Sequence, residues 1–170
     1  RRPLALILID LDHFKSINDQ WGHDGGDSVL RHVAAIISDS ARDTDVVARF
    51  GGEEFAILAR ETSKEQAEEF ANRLTAIIEK TVCQHLGKAI PVTASMGVVG
   101  VDSCDDARFL DTDTFFKLAD EALYESKRQG RNRVSGAHIS SPQYPKINVG
   151  LSSTQRSAPN QSFAIAQMMA

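Results

Sequence analysis

Six consecutive apolar residues, Leu4–Ile9, stop abruptly at Asp10-Leu11-Asp12. A run this short suits a central strand buried on both faces, and it falls far below the ~18 residues that a membrane span needs. It also lacks the basic front and small-residue cleavage site of a signal peptide. The fold must therefore be assembled around a buried strand whose carboxyl end carries two acids.

The rest of the chain supplies the neighbours of that strand. Phe14–Asn18 and then Val29, Leu30, Val33, Ile36 and Ile37 repeat with a helical period, and Gly22, Gly25 and Gly26 predict a bend or break between them. Val46–Phe50 and Phe55–Leu58 flank Gly51-Gly52, which permits a tight hairpin turn at positive φ. Ser63-Lys64-Glu65-Gln66 is a capping box opening a helix with Ala67, Phe70, Ala71, Leu74, Ile77 and Ile78 on one stripe. Val92–Val101 reads as a strand containing Gly97. Asp113 can cap a last helix carrying Phe116, Ala119 and Leu123, with Gly130 as its stop. The order is strand, helix, hairpin, helix, strand, helix. This βαββαβ plan is an α+β fold with a ferredoxin-like core, a central antiparallel sheet and added helices.

The chain has 170 residues and a net charge of −4. Its length fits one domain with a tail. The composition changes after Gly136: residues 137–170 hold Lys146 and Arg156, no acids, and a scatter of serines and prolines. We read 1–136 as the folded domain, with a charge of −6, and 137–170 as linker or disordered tail, apart from a short apolar stretch over 163–169 that is a candidate docking segment. An acidic domain argues against bulk nucleic acid as a partner, because phosphate binding needs a basic surface, but it leaves room for a small anionic ligand. Cys83 and Cys104 cannot form a disulfide framework, which points to a reducing, cytoplasmic setting.

Two acids at the end of a buried strand need compensation by a cation or by donors. Asp10 and Asp12, two apart, share a face if the strand continues, and hard divalent ions take one or two carboxylates plus substrate phosphates. The alternative is that both merely cap the following helix. Gly51-Gly52-Glu53-Glu54-Phe55 offers clearance for a bulky ligand and two more acids, so Glu53 could complete a metal site with Asp10; alone, such a segment is an ordinary turn. Lys127 and Arg131, at the end of the last helix, supply charge for phosphates or simply complement the helix dipole.

At these residues the chain resembles the GGDEF family of diguanylate cyclases. Asp10-Leu11-Asp12-His13-Phe14-Lys15-Ser16-Ile17-Asn18-Asp19, Gly22-His23-Asp24-Gly25-Gly26-Asp27 and Arg49-Phe50-Gly51-Gly52-Glu53-Glu54-Phe55 (a GGEEF form of the signature) carry the likeness. Ala119-Asp120-Glu121-Ala122-Leu123-Tyr124 and Lys127-Arg128-Gln129-Gly130-Arg131-Asn132 close it. Five separated matches occur in order over residues 1 to about 136.

The resemblance implies a palm-like fold related to nucleotide cyclases and condensation of two GTP into cyclic di-GMP. It implies Asp10, Glu53 and the Leu11 carbonyl as ligands of Mg²⁺, with Mn²⁺ as an alternative. Glu54 would belong to the catalytic signature beside Glu53 and Asp10. Asn18 and Asp27 would hold guanine. Lys15, Lys127, Arg131 and main-chain N–H groups near His13 and Phe14 would contact phosphates. Arg42 and Asp45 resemble an inhibitory product-binding motif ahead of the signature, with Arg73 as a second arginine of that site. Each domain would supply half an active site, so catalysis implies a homodimer. The family's upstream helix is lacking and an upstream sensor or dimerising domain is expected to be missing; the cytoplasmic part of a membrane-anchored sensor is one form that this expectation takes. The competing reading is an inactive GGDEF-type receptor for cyclic di-GMP or GTP; the intact Asp10, Glu53 and Glu54 speak against it.

Overall fold

The computed structural model describes residues 2–101 and 112–138. Strand β1 (Leu4–Leu11) lies at the centre of a five-stranded sheet. It is followed by α1 (Phe14–Ser40), the hairpin β2 (Val46–Arg49) and β3 (Glu54–Arg60), and α2 (Lys64–Lys80). A small hairpin, β4 (Cys83–His85) and β5 (Lys88–Ile90), precedes β6 (Ala94–Val101). Helix α3 (Thr112–Arg128) and β7 (Val134–His138) complete the described chain. The sheet order is β2-β3-β1-β6-β7.

The β1 run behaves as its composition dictates. Ala5, Ile7 and Ile9 enter the core under α1 and α2, whereas Leu6 and Leu8 enter the core under α3, and all are almost fully buried. The alternation of a strand thus divides one apolar run between two layers, and no polar face remains. Because β3 and β6 both run antiparallel to β1, their amino ends meet its carboxyl end: Asp10 lies opposite Glu54 on one side and Ser95 on the other. The carboxyl end of α3 reaches the same edge through Lys127.

The bend expected in the first helix is present: α1 kinks at Gly22 (φ 71°, ψ 173°), while Gly25 and Gly26 stay helical. Several other details differ from the sequence-based plan. Gly51 and Gly52 do not adopt positive φ. The hairpin pairs Arg49 with Phe55, and with β3 starting at Glu54 the residues 50–53 turn between the strands. The strand expected from Val92 starts at Ala94. The last helix begins at Thr112, which puts Asp113 in its first turn rather than at its cap, and Phe115 is buried while Phe116 packs edge-on against Phe50. The β4–β5 hairpin and β7 were not anticipated. Strand β7 pairs in parallel with β6, which makes the sheet mixed, and it runs across the expected domain edge at Gly136. Cys83 is a free, buried thiol; Cys104 and the apolar stretch over 163–169 lie outside the described residues. The capping box forms as expected: Gln66 N donates to Ser63 Oγ (3.3 Å) and Ser63 N donates to Gln66 Oε1 (3.0 Å). Among the described residues no helix is long and apolar enough to cross a membrane.

Candidate active site

The edge where β1, β3, β6 and α3 converge collects the acids. Asp10 is the last acid of β1 and is buried apart from its tip. Its Oδ2 receives the Lys127 ammonium at 2.7 Å. Burial pushes the Asp10 carboxyl above the ordinary value, and Lys127 opposes that push. The Glu54 carboxyl is raised by burial and by the charge of Asp10. Asp120, on α3, is raised by partial burial, against the pull of Lys127 and with the push of Asp10. This third acid was visible in the sequence seven residues before Lys127, two helical turns away on the same stripe, yet it received no role.

The signature turn is braced from within. Arg49 donates to the Gly52 carbonyl from Nε (3.2 Å) and from a terminal nitrogen (2.7 Å). Leu11 N donates to the Glu53 carbonyl at 3.3 Å, and Phe50 N to the Glu54 carbonyl at 3.2 Å. The turn is thereby pinned to the end of β1, and Glu53 stands beside Leu11. The Glu54 carboxylate folds back under Gly51, where any Cβ would overlap Glu54 Oε2. Gly51 is required for this close approach and not for an unusual φ.

Asp10, Glu53 and the Leu11 carbonyl are hard oxygen donors gathered at one strand end. Among the described residues no group of three or more His, Cys, Asp or Glu side chains forms a cage for a metal. A divalent ion that takes one or two carboxylates and completes its shell with water and substrate phosphates suits such a set. The donor chemistry therefore fits a hard divalent cation.

The residues expected to hold a nucleotide surround this edge. His13 sits in the left-handed region (φ 57°) immediately before α1, and no side chain caps the first turn. The first N–H groups of α1, near Phe14 and Lys15, are left to serve an anion. About two turns on, the kink at Gly22 leads to Gly26, whose missing side chain leaves the space that Asn18 Oδ1 fills. Asn18 is half-buried and Asp27, next to Gly26, is exposed. Arg131 stands exposed just after α3, at φ 64°, and its charge reaches Asp10. Asp12 departs from expectation. The strand ends at Leu11, and Asp12 caps no helix; it accepts hydrogen bonds from Thr93, Ser95 and the Asn132 main chain.

A second cluster lies at the far end of β2. Arg42, Asp45, Gln66, Glu69, Phe70 and Arg73 line a cavity of about 200 Å³. Asp45 Oδ2 accepts the Arg42 main-chain N–H (3.0 Å), so this contact leaves the guanidinium untouched. Asp45 Oδ1 is buried without a partner. The Arg73 guanidinium lies 5.5 Å from the centroid of the Phe70 ring.

Comparison with known proteins agrees with this architecture. The sequence profile of the family described as "Diguanylate cyclase, GGDEF domain" matches residues 1–133. Diguanylate cyclase A of Treponema denticola is 41% identical over 136 residues, which cover 79% of this chain and 35% of the relative. Diguanylate cyclase DosC of Escherichia coli K12 is 41% identical over 133 residues, 78% of this chain and 28% of the relative. The chain thus spans about a third of the length of these curated relatives. Among solved structures, the GGDEF domain of DgcB from Caulobacter crescentus in complex with c-di-GMP aligns with a TM-score of 0.72 and 31% identity, covering 79% of this chain and 77% of that one. The active GGEEF domain of a diguanylate cyclase from Vibrio cholerae aligns with a TM-score of 0.72 and 34% identity, covering 82% of this chain and 86% of that one. With the profile spanning nearly all of the described residues, the chain belongs to the GGDEF domain family of diguanylate cyclases.

Proposed function

We propose that this domain is an active diguanylate cyclase, condensing two GTP into cyclic di-GMP and two pyrophosphates. The observation that carries the reading is the convergence of Asp10, Glu53 and Glu54 with Lys127 and Arg131 at one sheet edge, beside an uncapped helix start. Acids for a metal and bases for phosphates stand within one site.

Asp10, Glu53 and the Leu11 carbonyl would hold Mg²⁺, or Mn²⁺ in its place. When bound, the ion lowers the pKa of the attacking hydroxyl and offsets charge on the phosphates. The chain's own groups do the rest. The N–H groups near His13 and Phe14, with Lys15, Lys127 and Arg131, bind the triphosphate. Lys127 is paired with Asp10 in the described structure; nucleotide phosphates would compete with Asp10 for its ammonium. Asn18 and Asp27 read the base. Guanine offers N1–H and N2–H₂ donors, which one carboxylate can accept together, whereas adenine presents an acceptor at N1. Once the base covers them, leaving such groups unpaired is costly, and that is the source of selectivity.

Each domain holds one GTP, and two domains must face each other. The 3′-oxygen of each GTP attacks the α-phosphorus of the other. The new O–P bond replaces the bond to the β-phosphate oxygen, pyrophosphate leaves, and the hydroxyl proton passes to solvent. Catalysis then depends on how the two halves are held, which is the part an additional dimerising region would supply. The cavity between Arg42, Asp45 and Arg73 is read as the site for cyclic di-GMP acting as a feedback inhibitor. Guanidinium forks suit phosphates and the guanine Hoogsteen edge, and the unpartnered Asp45 Oδ1 is an acceptor awaiting a donor.

The test is incubation of an enforced dimer of the chain with GTP and Mg²⁺, with identification of the product by mass. Cyclic di-GMP is expected. Tight GTP or cyclic di-GMP binding without turnover would identify a receptor instead.

A further inference from the structure

We propose that Asp12 is a positioning residue, which locks the Arg131 turn to the start of α1 so that the two phosphate-binding segments keep one spacing. This rests on the reading of Arg131 and the His13–Lys15 segment as the triphosphate site.

Asp12 is 5% exposed, and both oxygens of its carboxylate accept hydrogen bonds. Thr93 Oγ1 donates to Oδ2 at 2.7 Å, and Ser95 Oγ donates to Oδ1 at 2.6 Å. The Asn132 main-chain N–H donates to Oδ2 at 3.0 Å across a separation of 120 residues. Asp12 N itself donates to the Thr93 carbonyl at 2.9 Å. One side chain thus joins three segments: the end of β1, the lead into β6, and the turn after α3.

The turn it holds cannot hold itself cheaply. Gly130 (φ 115°), Arg131 (φ 64°) and Asn132 (φ 48°) are three consecutive residues at positive φ. For two side-chain-bearing residues this conformation is strained, so the surroundings must enforce it. Arg131 N donates to the Ser126 carbonyl (3.0 Å) and Met96 N to the Arg133 carbonyl (2.9 Å), which fix the turn's two ends. Between them stands Asn132, tied by its N–H to Asp12 and by its Nδ2 to Glu79 Oε1 (2.8 Å). Removing the Asp12 carboxylate leaves the Asn132 N–H and two hydroxyls unpaired, and frees Arg131 to relax toward an ordinary backbone. Asp12 immediately precedes His13, so the same anchor sets the left-handed His13 geometry that opens α1.

The geometry separates this role from metal ligation. Asparagine at position 12 keeps a carbonyl oxygen for Thr93 and the Asn132 N–H, and its amide can donate to the Ser95 hydroxyl. Alanine keeps none of these. A metal ligand would be lost in both variants; an anchor is lost only in the second.

The experiment measures binding of 3′-deoxyguanosine triphosphate, which cannot condense, to the full chain in Mg²⁺ by calorimetry. The set is the parent, Asp12→Asn, Asp12→Ala, Arg131→Ala and the Asp12→Ala/Arg131→Ala double variant, each checked for folding by circular dichroism. Expected are near-parental affinity for Asp12→Asn, losses on the order of tenfold for Asp12→Ala and for Arg131→Ala, and no further loss in the double variant. Should Asp12→Ala fail to fold, Asp12→Ser, whose hydroxyl stops short of Asn132, takes its place in the cycle. Asp12→Asn as damaging as alanine, or a double variant whose losses simply add, overturns the anchor. An Arg131→Ala variant that binds the nucleotide as tightly as the parent would instead overturn the phosphate role on which the inference stands.

Discussion

At the scale of single residues, the site is a set of charges held where water would otherwise disperse them. Glu54 is the clearest case, because burial and the neighbouring Asp10 both disfavour its ionised form relative to the ordinary 4.5. The folded protein therefore holds this proton more tightly than the unfolded chain does. The metal-free fold bears a cost at neutral and higher pH, and the cost fades as the pH falls through the raised value. Glu54→Gln removes the ionised form altogether. It should raise the thermal midpoint of the metal-free protein more at pH 8 than at pH 5; an equal gain at both would mean that the carboxyl is not destabilised by its surroundings. Base choice is a second residue-scale matter. Asp27 lies inside the helical segment, five residues past the kink at Gly22, so Asp27→Ser disturbs no cap and removes the acceptor for guanine. The GTP-over-ATP preference in turnover should fall by about ten- to a hundredfold, with little change in melting temperature. An unchanged preference would make Asp27 purely structural.

At the scale of elements, the legible and the illegible parts of the sequence divide on physical lines. Leu4–Ile9 announced its strand because an apolar run without alternation has only a two-sided burial to satisfy it, and Ser63–Gln66 announced its helix because the capping box is local chemistry. The gathering of Asp10, Glu53 and Lys127 was legible through motif resemblance, since no local periodicity brings positions 10, 53 and 127 together. Strand β7 was missed because Val134–His138 is short and half polar; its only justification is the parallel pairing with β6, a long-range fact. Asp12 was ambiguous for a similar reason, as its partners at Thr93, Ser95 and Asn132 lie some 80 to 120 residues away. Gly51 was assigned to the correct turn for a mistaken reason: clearance for Glu54 matters there, not positive φ. This makes a sharp prediction. In Gly51→Ala the new methyl overlaps Glu54 Oε2, which can swing away, and presses on Glu54 Cβ at 3.2 Å, which must shift slightly, so the loss of stability should be small. Turnover should fall on the order of a hundredfold, because the displaced acid leaves the reacting geometry. Melting curves beside initial rates separate the two effects, and loss of stability in step with activity would contradict the argument.

At the scale of the whole molecule, the two candidate sites stand at opposite ends of the β2 strand. Arg42 precedes Val46 and the signature turn follows Arg49. At ~3.3 Å per residue this separation is ~15 Å or more, too far for Arg42 to touch a metal or an attacking hydroxyl. Arg42→Ala should therefore weaken cyclic di-GMP binding ~30–150-fold and relieve product inhibition, while initial rates stay close to the parent's. Calorimetry with added product, paired with progress curves, checks this; product bound as tightly as by the parent would reduce Arg42 to a surface group. Feedback of this kind can act without any change inside a domain. A product that crosslinks domains in a pose where their sheet edges do not face each other would be sufficient, because the proposed reaction needs two half-sites.

The central claim is that the acids at the end of β1 and in the signature turn serve the condensation of GTP. The most direct measurement is pyrophosphate release from GTP and Mg²⁺ by an enforced dimer, with the parent beside Glu53→Gln. Glu53 sits in a turn pinned by main-chain bonds and lies outside both apolar cores, so the substitution should leave the fold and most GTP affinity intact. The account predicts steady release by the parent, with cyclic di-GMP formed at half the pyrophosphate count, and a rate at least about a hundredfold lower in the variant. A variant that releases pyrophosphate at the parental rate, or a parent that yields only GMP or GDP, would contradict it.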